Sequence, residues 1–297
     1  MVRSGVRTMS LAVCGVGAYG VTVGAGAWMA RRGTDMYAAV GARFLVAGLV
    51  VAAVLRVMGR PIIPVAGERL PLAVVAGTLY AIEAICYYQA LRRGAPLAAT
   101  GVLLSAPTLM ALAEHRESKA EFISAIWIGV ALAASGLIAI AFAGGRGAID
   151  AGGFGWAFVA ALAFAAYSFI APRLITRTSA VTASAWSSLW VGIAICAVGI
   201  ASGDVHSPPR PEVIVLIASG IATGVAFMAL FVVLDRFDTA AVASAVFGQG
   251  IAALVGLAVI GSAFGFEMAV GSAFVILGSV VMSARSESGS GSLDHPP

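Results

Sequence analysis

Charge is scarce in this sequence. Asp, Glu, Lys and Arg make up 11% of its 297 residues, against about 25% in an ordinary soluble domain, and Lys119 is the single lysine. With 60% hydrophobic residues and a mean hydropathy of +0.99, it lacks the polar surface of a soluble globule, a disordered chain or a nucleic-acid binder. Cysteine is scarce too. Cys14, Cys86 and Cys196 sit in separate apolar stretches without C-x-x-C spacing, which points to small packing residues, not to a disulfide framework or a metal site. His115, His206 and His295 all fall in polar segments, so no histidine enters an apolar run. No G-x-x-x-x-G-K-[ST] loop is present, which removes the usual cradle for nucleotide phosphates.

Long apolar runs are what the chain has instead. Interrupting them at charge, proline or glycine clusters gives ten candidate helices: 11 to 30, 36 to 58, 70 to 91, 95 to 113, 122 to 143, 154 to 172, 180 to 202, 211 to 234, 238 to 262 and 266 to 284. Each is near the ~20 residues needed to cross about 30 Å of hydrocarbon at about 1.5 Å per residue. The first run is of spanning length, longer than the apolar centre of a secretory leader. The connecting segments are short, and the tail RSESGSGSLDHPP at 285 to 297 reads as disordered and cytoplasmic. With the N-terminus inside, the inner segments hold eleven Lys and Arg residues and the outer segments six, which places both termini in the cytoplasm of a cell with this protein in its plasma or inner membrane.

Comparing the chain with itself shows a second level of order. The stretch AGTLYAIEAICYYQALRRGAPLAATG from Ala76 parallels SGIATGVAFMALFVVLDRFDTAAVAS from Ser219. A near-constant offset also aligns Gly129 and Gly136 with Gly271 and Gly278, and Tyr19 falls close to Tyr167 at a slightly larger one. A repeat of about 145 residues follows, with residues 1 to 150 and 151 to 284 as its two copies of five helices each. Because five is odd, the second copy enters the membrane from the opposite side. The expected fold is therefore an all-α integral membrane bundle of ten transmembrane helices built as two inverted five-helix repeats. Such a pair offers two related packings around a central site, which favours a transporter.

Several segments resemble a known family. MYAAVGARFLVAG in the second helix, YYQALRRGAPLAATGVLLSAP across the third and fourth, the seven-residue spacing of Gly129 and Gly136, and GWAFVAALAFAAYSF opening the second half are similar to EamA-type members of the drug/metabolite transporter superfamily. The resemblance runs from about Leu11 to Ala284. It implies ten helices, export of amino acids, other metabolites or drugs, and a central cavity lined by helices 1, 3, 4, 6, 8 and 9. The sequence departs from the family's acidic position near the ends of the fourth and ninth helices, where Ala120 and Ser262 stand, with Glu117 and Glu121 nearby.

Two formal charges lie well inside the expected spans, Arg43 in the second helix and Glu83 in the third. An unpaired charge at a helix centre costs about 2.5 to 3.5 kcal/mol on the translocon scale. Both lie roughly 10 to 12 Å from the same boundary at the helical rise, so they can meet across the hairpin. One reading is a structural ion pair. The other has Glu83 facing a cavity to bind a cationic group or a proton, with Arg43 coupled to it. Tyr80, Glu83 and Tyr87 share a helix face, which surrounds that carboxylate with aromatic surface. The resemblance places Tyr19 and Thr22, Ser105 and Thr108, Tyr167, Thr223 and Gln249 in spans around the cavity, and Pro107 marks a hinge in the fourth helix. The resulting expectation is a secondary transporter, an exporter of small metabolites, amino-acid-like solutes or drugs. It is expected to act as a monomer in the bilayer, with a proton or another ion as its coupling partner, and no cofactor, metal, nucleic acid or enzymatic step is called for. A non-transporting scaffold is the alternative.

Overall fold

The computed structural model describes residues 2–93, 96–103, 105–106, 108–109, 123–142, 150–203, 206, 208–236, 252–253, 255–259, 270, 272–274 and 277. The expected tail, Pro107, Gln249, Gly271, Gly278 and most of the ninth and tenth helices lie outside the described residues. Those residues are helices and their connections. They comprise α1 (Val2–Arg31), α2 (Tyr37–Val57), α3 (Ala66–Arg92), α4 (Pro96–Leu103), α5 (Ile123–Phe142), α6 (Ala151–Leu174), α7 (Ala180–Ser202) and α8 (Arg210–Arg236). Among the described residues five helical segments are long and apolar enough to cross a membrane: α2, α3, α6, α7 and Arg210–Val232 of α8.

Local signals set the helix boundaries. The Asp150 carboxylate caps α6 by accepting from the Gly153 amide, and the Ser179 hydroxyl caps α7 by accepting from the Thr182 amide at 3.2 Å. Gly203 ends α7 at φ 73°, in the left-handed region that glycine tolerates. Two helices are wound wide at one place each. A π-helical turn at Tyr37–Gly41 opens α2, and another at Leu72–Gly77 lies inside α3. Such turns insert a residue and rotate everything after them, and here they precede Arg43 and Tyr80 respectively.

Burial is inverted relative to a water-soluble protein. Val57, Ile200 and Ile214 are 70% exposed or more, whereas Thr22, Thr182, Ser187 and Thr223 are buried. Hydrocarbon outside and hydroxyls inside is the distribution of a multi-pass membrane bundle, where each polar group must find its partner within the protein.

The helices pack as antiparallel pairs. α1 runs against α8, with Gly15 beside Ala229 and Thr22 beside Thr223. α3 runs against α6, with Tyr80 beside Tyr167 and Arg93 paired to Asp150 at 3.8 Å. α2 runs against α7 in a crossing so tight that a Cβ on Gly48 would lie 2.8 Å from the Leu189 amide nitrogen, and one on Gly192 would lie 2.6 Å from that of Leu45. Small residues permit this approach, which lets dispersion hold helices together where no water drives them. α8 then lies alongside α2, with Gly220 on Val46 and Gly224 on Ala47. The α1–α2 and α3–α4 connections and the starts of α6 and α8 share one end of the bundle. The α2–α3 and α6–α7 connections share the other, tied by bonds such as Thr182 Oγ1 to the Pro61 carbonyl at 2.8 Å and Trp186 Nε1 to that of Arg69 at 3.0 Å.

Gly48→Ala should lower the thermal midpoint of the detergent-purified protein. The clash includes backbone, so the cost should be about 1 to 3 kcal/mol. Gly17→Ala, where a Cβ meets nothing within 4 Å, should leave the midpoint unchanged or raise it.

Candidate functional site

The intramembrane charges come together. α2, wound by its π-helical turn, presents Arg43 and Phe44 to a pocket that α3 lines with Tyr80, Glu83 and Tyr87. α1 adds Tyr19 and Thr22, and α8 adds Thr223 and Phe227. The cavity measures about 30 Å³, which accommodates a water molecule or two. Arg43 and Glu83 are 9% and 4% exposed, both far below what an unpaired charge ordinarily tolerates.

The charges share the pocket without closing a pair. Arg43 Nε is buried without a hydrogen-bond partner, and its guanidinium carbon lies 5.1 Å from the Phe44 ring centroid, within cation-π range. The Glu83 carboxylate makes no hydrogen bond and no ion pair with Arg43 among the described residues. The direct ion pair open to these residues from sequence is thus absent here, because each group is directed at the cavity and not across the hairpin. Two opposite charges are left with unused hydrogen-bonding capacity around one space.

The hydroxyls around them are bonded in relays. Tyr87 lies 2.6 Å from Thr100 Oγ1, and the Thr100 hydroxyl donates to the Pro96 carbonyl at 2.8 Å, so Tyr87 is the donor of the first bond. In the same way Thr223 donates to the Ser219 carbonyl at 2.7 Å, which leaves Thr22 to donate to Thr223 across 3.2 Å. These bonds anchor α3 to α4 and α1 to α8.

An aromatic cluster closes one side. The Tyr80 ring meets Phe44, Tyr167 and Phe227 edge-on, with centroids 5.4, 4.8 and 4.5 Å away, and Phe164 and Phe231 pack around them. Edge-to-face contacts of this kind rigidify a core beyond their buried area.

Of the residues named from sequence, Tyr19, Thr22, Arg43, Tyr80, Glu83, Tyr87 and Thr223 line the pocket. Tyr167 sits behind Tyr80, fully buried with its hydroxyl unpartnered. Ser105 and Thr108 are buried in the fourth-helix region and do not line it. Gln249 and Pro107 lie outside the described residues. Among the described residues the lining comes from α1, α2, α3 and α8, so α2 joins helices 1, 3 and 8 of the cavity that the resemblance implies. Phe44, Phe227 and Tyr88 were missed, since apolar and aromatic residues in an apolar run carry no signal of which face turns inward.

No protein-family model and no curated protein sequence matches the chain. A solved crystal structure matches over 93% of this chain and 97% of its own, with a TM-score of 0.67 and 17% sequence identity. That likeness concerns the fold alone.

A structural ion pair and a pair of ligand-facing charges differ in what mutation does. Glu83→Gln should change the thermal midpoint little, because the carboxylate loses no hydrogen bond and only its longer-range attraction to Arg43. A bonded pair would instead lose about 3 to 5 kcal/mol when one partner is deleted.

Proposed function

We propose that the chain is a secondary transporter of the plasma membrane, moving small amino-acid-like metabolites outward by alternating access, as its resemblance to EamA-type proteins of the drug/metabolite transporter superfamily implies. The observation that carries this reading is the pair of opposite charges, Arg43 and Glu83, that face one cavity inside an apolar bundle with no ion pair closed between them. Such an arrangement costs stability, and a scaffold gains nothing from it. Arg43 suits a carboxylate, Glu83 suits an ammonium or a proton, and the aromatic walls suit an apolar side chain. A cavity of about 30 Å³ is too small for such a solute, so loading requires the helices to part.

The halves are residues 1 to 150 and 151 to 284, ten helices as two inverted repeats, and the packing supports a dyad between them. Gly48 rests on Leu189 while Gly192 rests on Leu45, and both Gly192 and Leu189 follow their counterparts by the same number of residues. An isologous contact has this form, residue i on j and j on i. α1 on α8 and α3 on α6 exchange under the same operation, and α1 and α6 run in opposite directions. In the cavity, Tyr80, Glu83, Ala84 and Tyr87 stand opposite Thr223, Ala226, Phe227 and Leu230, the residues matched to them when the stretches from Ala76 and Ser219 are laid side by side. The two matched faces differ in chemistry. α3 brings the carboxylate where α8 brings Ala226, so the site is symmetric in frame and polar on one side.

A single chain holding both halves acts as a monomer, with the α2–α3 and α6–α7 end in the cytoplasm. A thermal-shift screen of amino acids, amines, nucleosides and cationic dyes should raise the melting temperature with zwitterions first, and their methyl esters or N-acetyl derivatives should lose the effect. Hits should drive flux in proteoliposomes. Glu83→Gln should abolish gradient-driven flux in folded protein; flux that survives at the wild-type rate moves the site elsewhere.

A further inference from the structure

Each end of the bundle is fastened by a carboxylate from the start of a helix. At one end Glu212, opening α8, accepts the Thr34 hydroxyl from the α1–α2 connection at 2.8 Å. At the other Glu68, opening α3, accepts from the α6–α7 connection: the Thr176 hydroxyl at 2.5 Å, the Thr176 amide at 3.1 Å, the Arg177 amide at 2.8 Å and the Thr178 amide at 3.0 Å. The two fastenings correspond. Glu212 follows Glu68 by the same number of residues as Thr178 follows Thr34, and α3–α8 and α1–α6 are the elements that the proposed dyad exchanges.

They are unequal in strength and in what lies behind them. Among the described residues Glu212 accepts one hydrogen bond where Glu68 accepts four. Tyr88, which lines the cavity, donates to the Thr34 carbonyl at 3.2 Å, so the single-bond fastening borders the pocket directly. Toward the Glu68 end, Tyr80, Phe164, Tyr167, Phe227 and Phe231 close the space with interlocked rings.

We infer that Glu212 with Thr34 and Glu68 with residues 176–178 are the two latches of an alternating-access cycle, and that the Glu212–Thr34 latch is the one that releases from the closed form seen here. The weaker latch opens the cavity to one face while four bonds and the aromatic cluster hold the other shut. Release of the Glu68 latch then needs the rings to part, which gives the cycle its two distinct steps. This inference rests on the transport reading for its purpose, but its test needs no substrate.

The experiment uses the full chain in membrane vesicles, with Cys14, Cys86 and Cys196 replaced and Ala84→Cys as a reporter inside the cavity. Its rate of alkylation by a membrane-impermeant maleimide is measured in right-side-out and inside-out vesicles. Glu212→Gln, whose amide oxygen still accepts but carries no charge, should raise that rate by roughly fivefold, the difference between a charged and a neutral hydrogen bond, and from one face only. Thr34→Val, which keeps the carboxylate and removes its donor, should do the same if Glu212→Gln misfolds. Thr176→Val leaves Glu68 the backbone amides of Thr176, Arg177 and Thr178, so the rate should stay within about twofold. Unchanged labelling in both Glu212→Gln and Thr34→Val, or an equal rise in Thr176→Val, overturns the latch assignment. Solute flux with no latch effect would leave transport standing and remove the latch; a latch effect without flux would do the reverse.

Discussion

The crossing of α2 and α7 is the contact on which the rest of the bundle depends. Gly48 and Gly192 bring two backbones so close that neither position admits a methyl group, and this fixes both the height and the rotation of the two helices. α8 is then seated on α2 through Gly220 and Gly224, and α1 on α8 through Gly15 and the Thr22–Thr223 bond. In an apolar medium there is little hydrophobic reward for association, so such shape complementarity carries the stability. Arg43 and Phe44 stand within one turn of this crossing, which is how a packing contact comes to set the geometry of the cavity.

The proposed function rests on two charges that the packing leaves open to the cavity. Tyr87 and Thr22 donate into relays through Thr100 and Thr223 that end on backbone carbonyls, and the Glu68 carboxylate at one end of the bundle accepts from four donors. Arg43 Nε has no hydrogen-bond partner, and the Glu83 carboxylate makes no ion pair among the described residues. Two opposite charges left open to one cavity are the groups that the proposed transport reading assigns to a solute that comes and goes.

Much of the frame could be read from the residues. Apolar runs of spanning length found the boundaries of α2, α7 and α8 to within a few residues, because breaks in hydropathy and capping residues coincide there. α1 begins at Val2, well before the expected 11, since Arg3 and Arg7 do not interrupt a helix as they interrupt an apolar run. Whether Arg43 and Glu83 pair directly or face a cavity stayed open in the sequence for a different reason. Equal depth in a hairpin says that two groups can meet, while the π-helical turns that rotate α2 and α3 just before these residues leave no mark in composition. The latch residues carried a signal that went unused: Glu68 and Glu212, like Thr34 and Thr178, recur at the repeat distance that Gly and Tyr had already shown.

The central claim is that two halves of opposite orientation meet around this cavity, and topology tests it most directly. Arg32 in the α1–α2 connection and Arg177 in the α6–α7 connection are exposed and lie at opposite ends of the bundle. With single cysteines at these positions in an otherwise cysteine-free chain, an impermeant thiol reagent should label Arg32→Cys only in right-side-out vesicles and Arg177→Cys only in inside-out ones. Labelling of both from the same face would contradict the inverted arrangement and the transport cycle built on it.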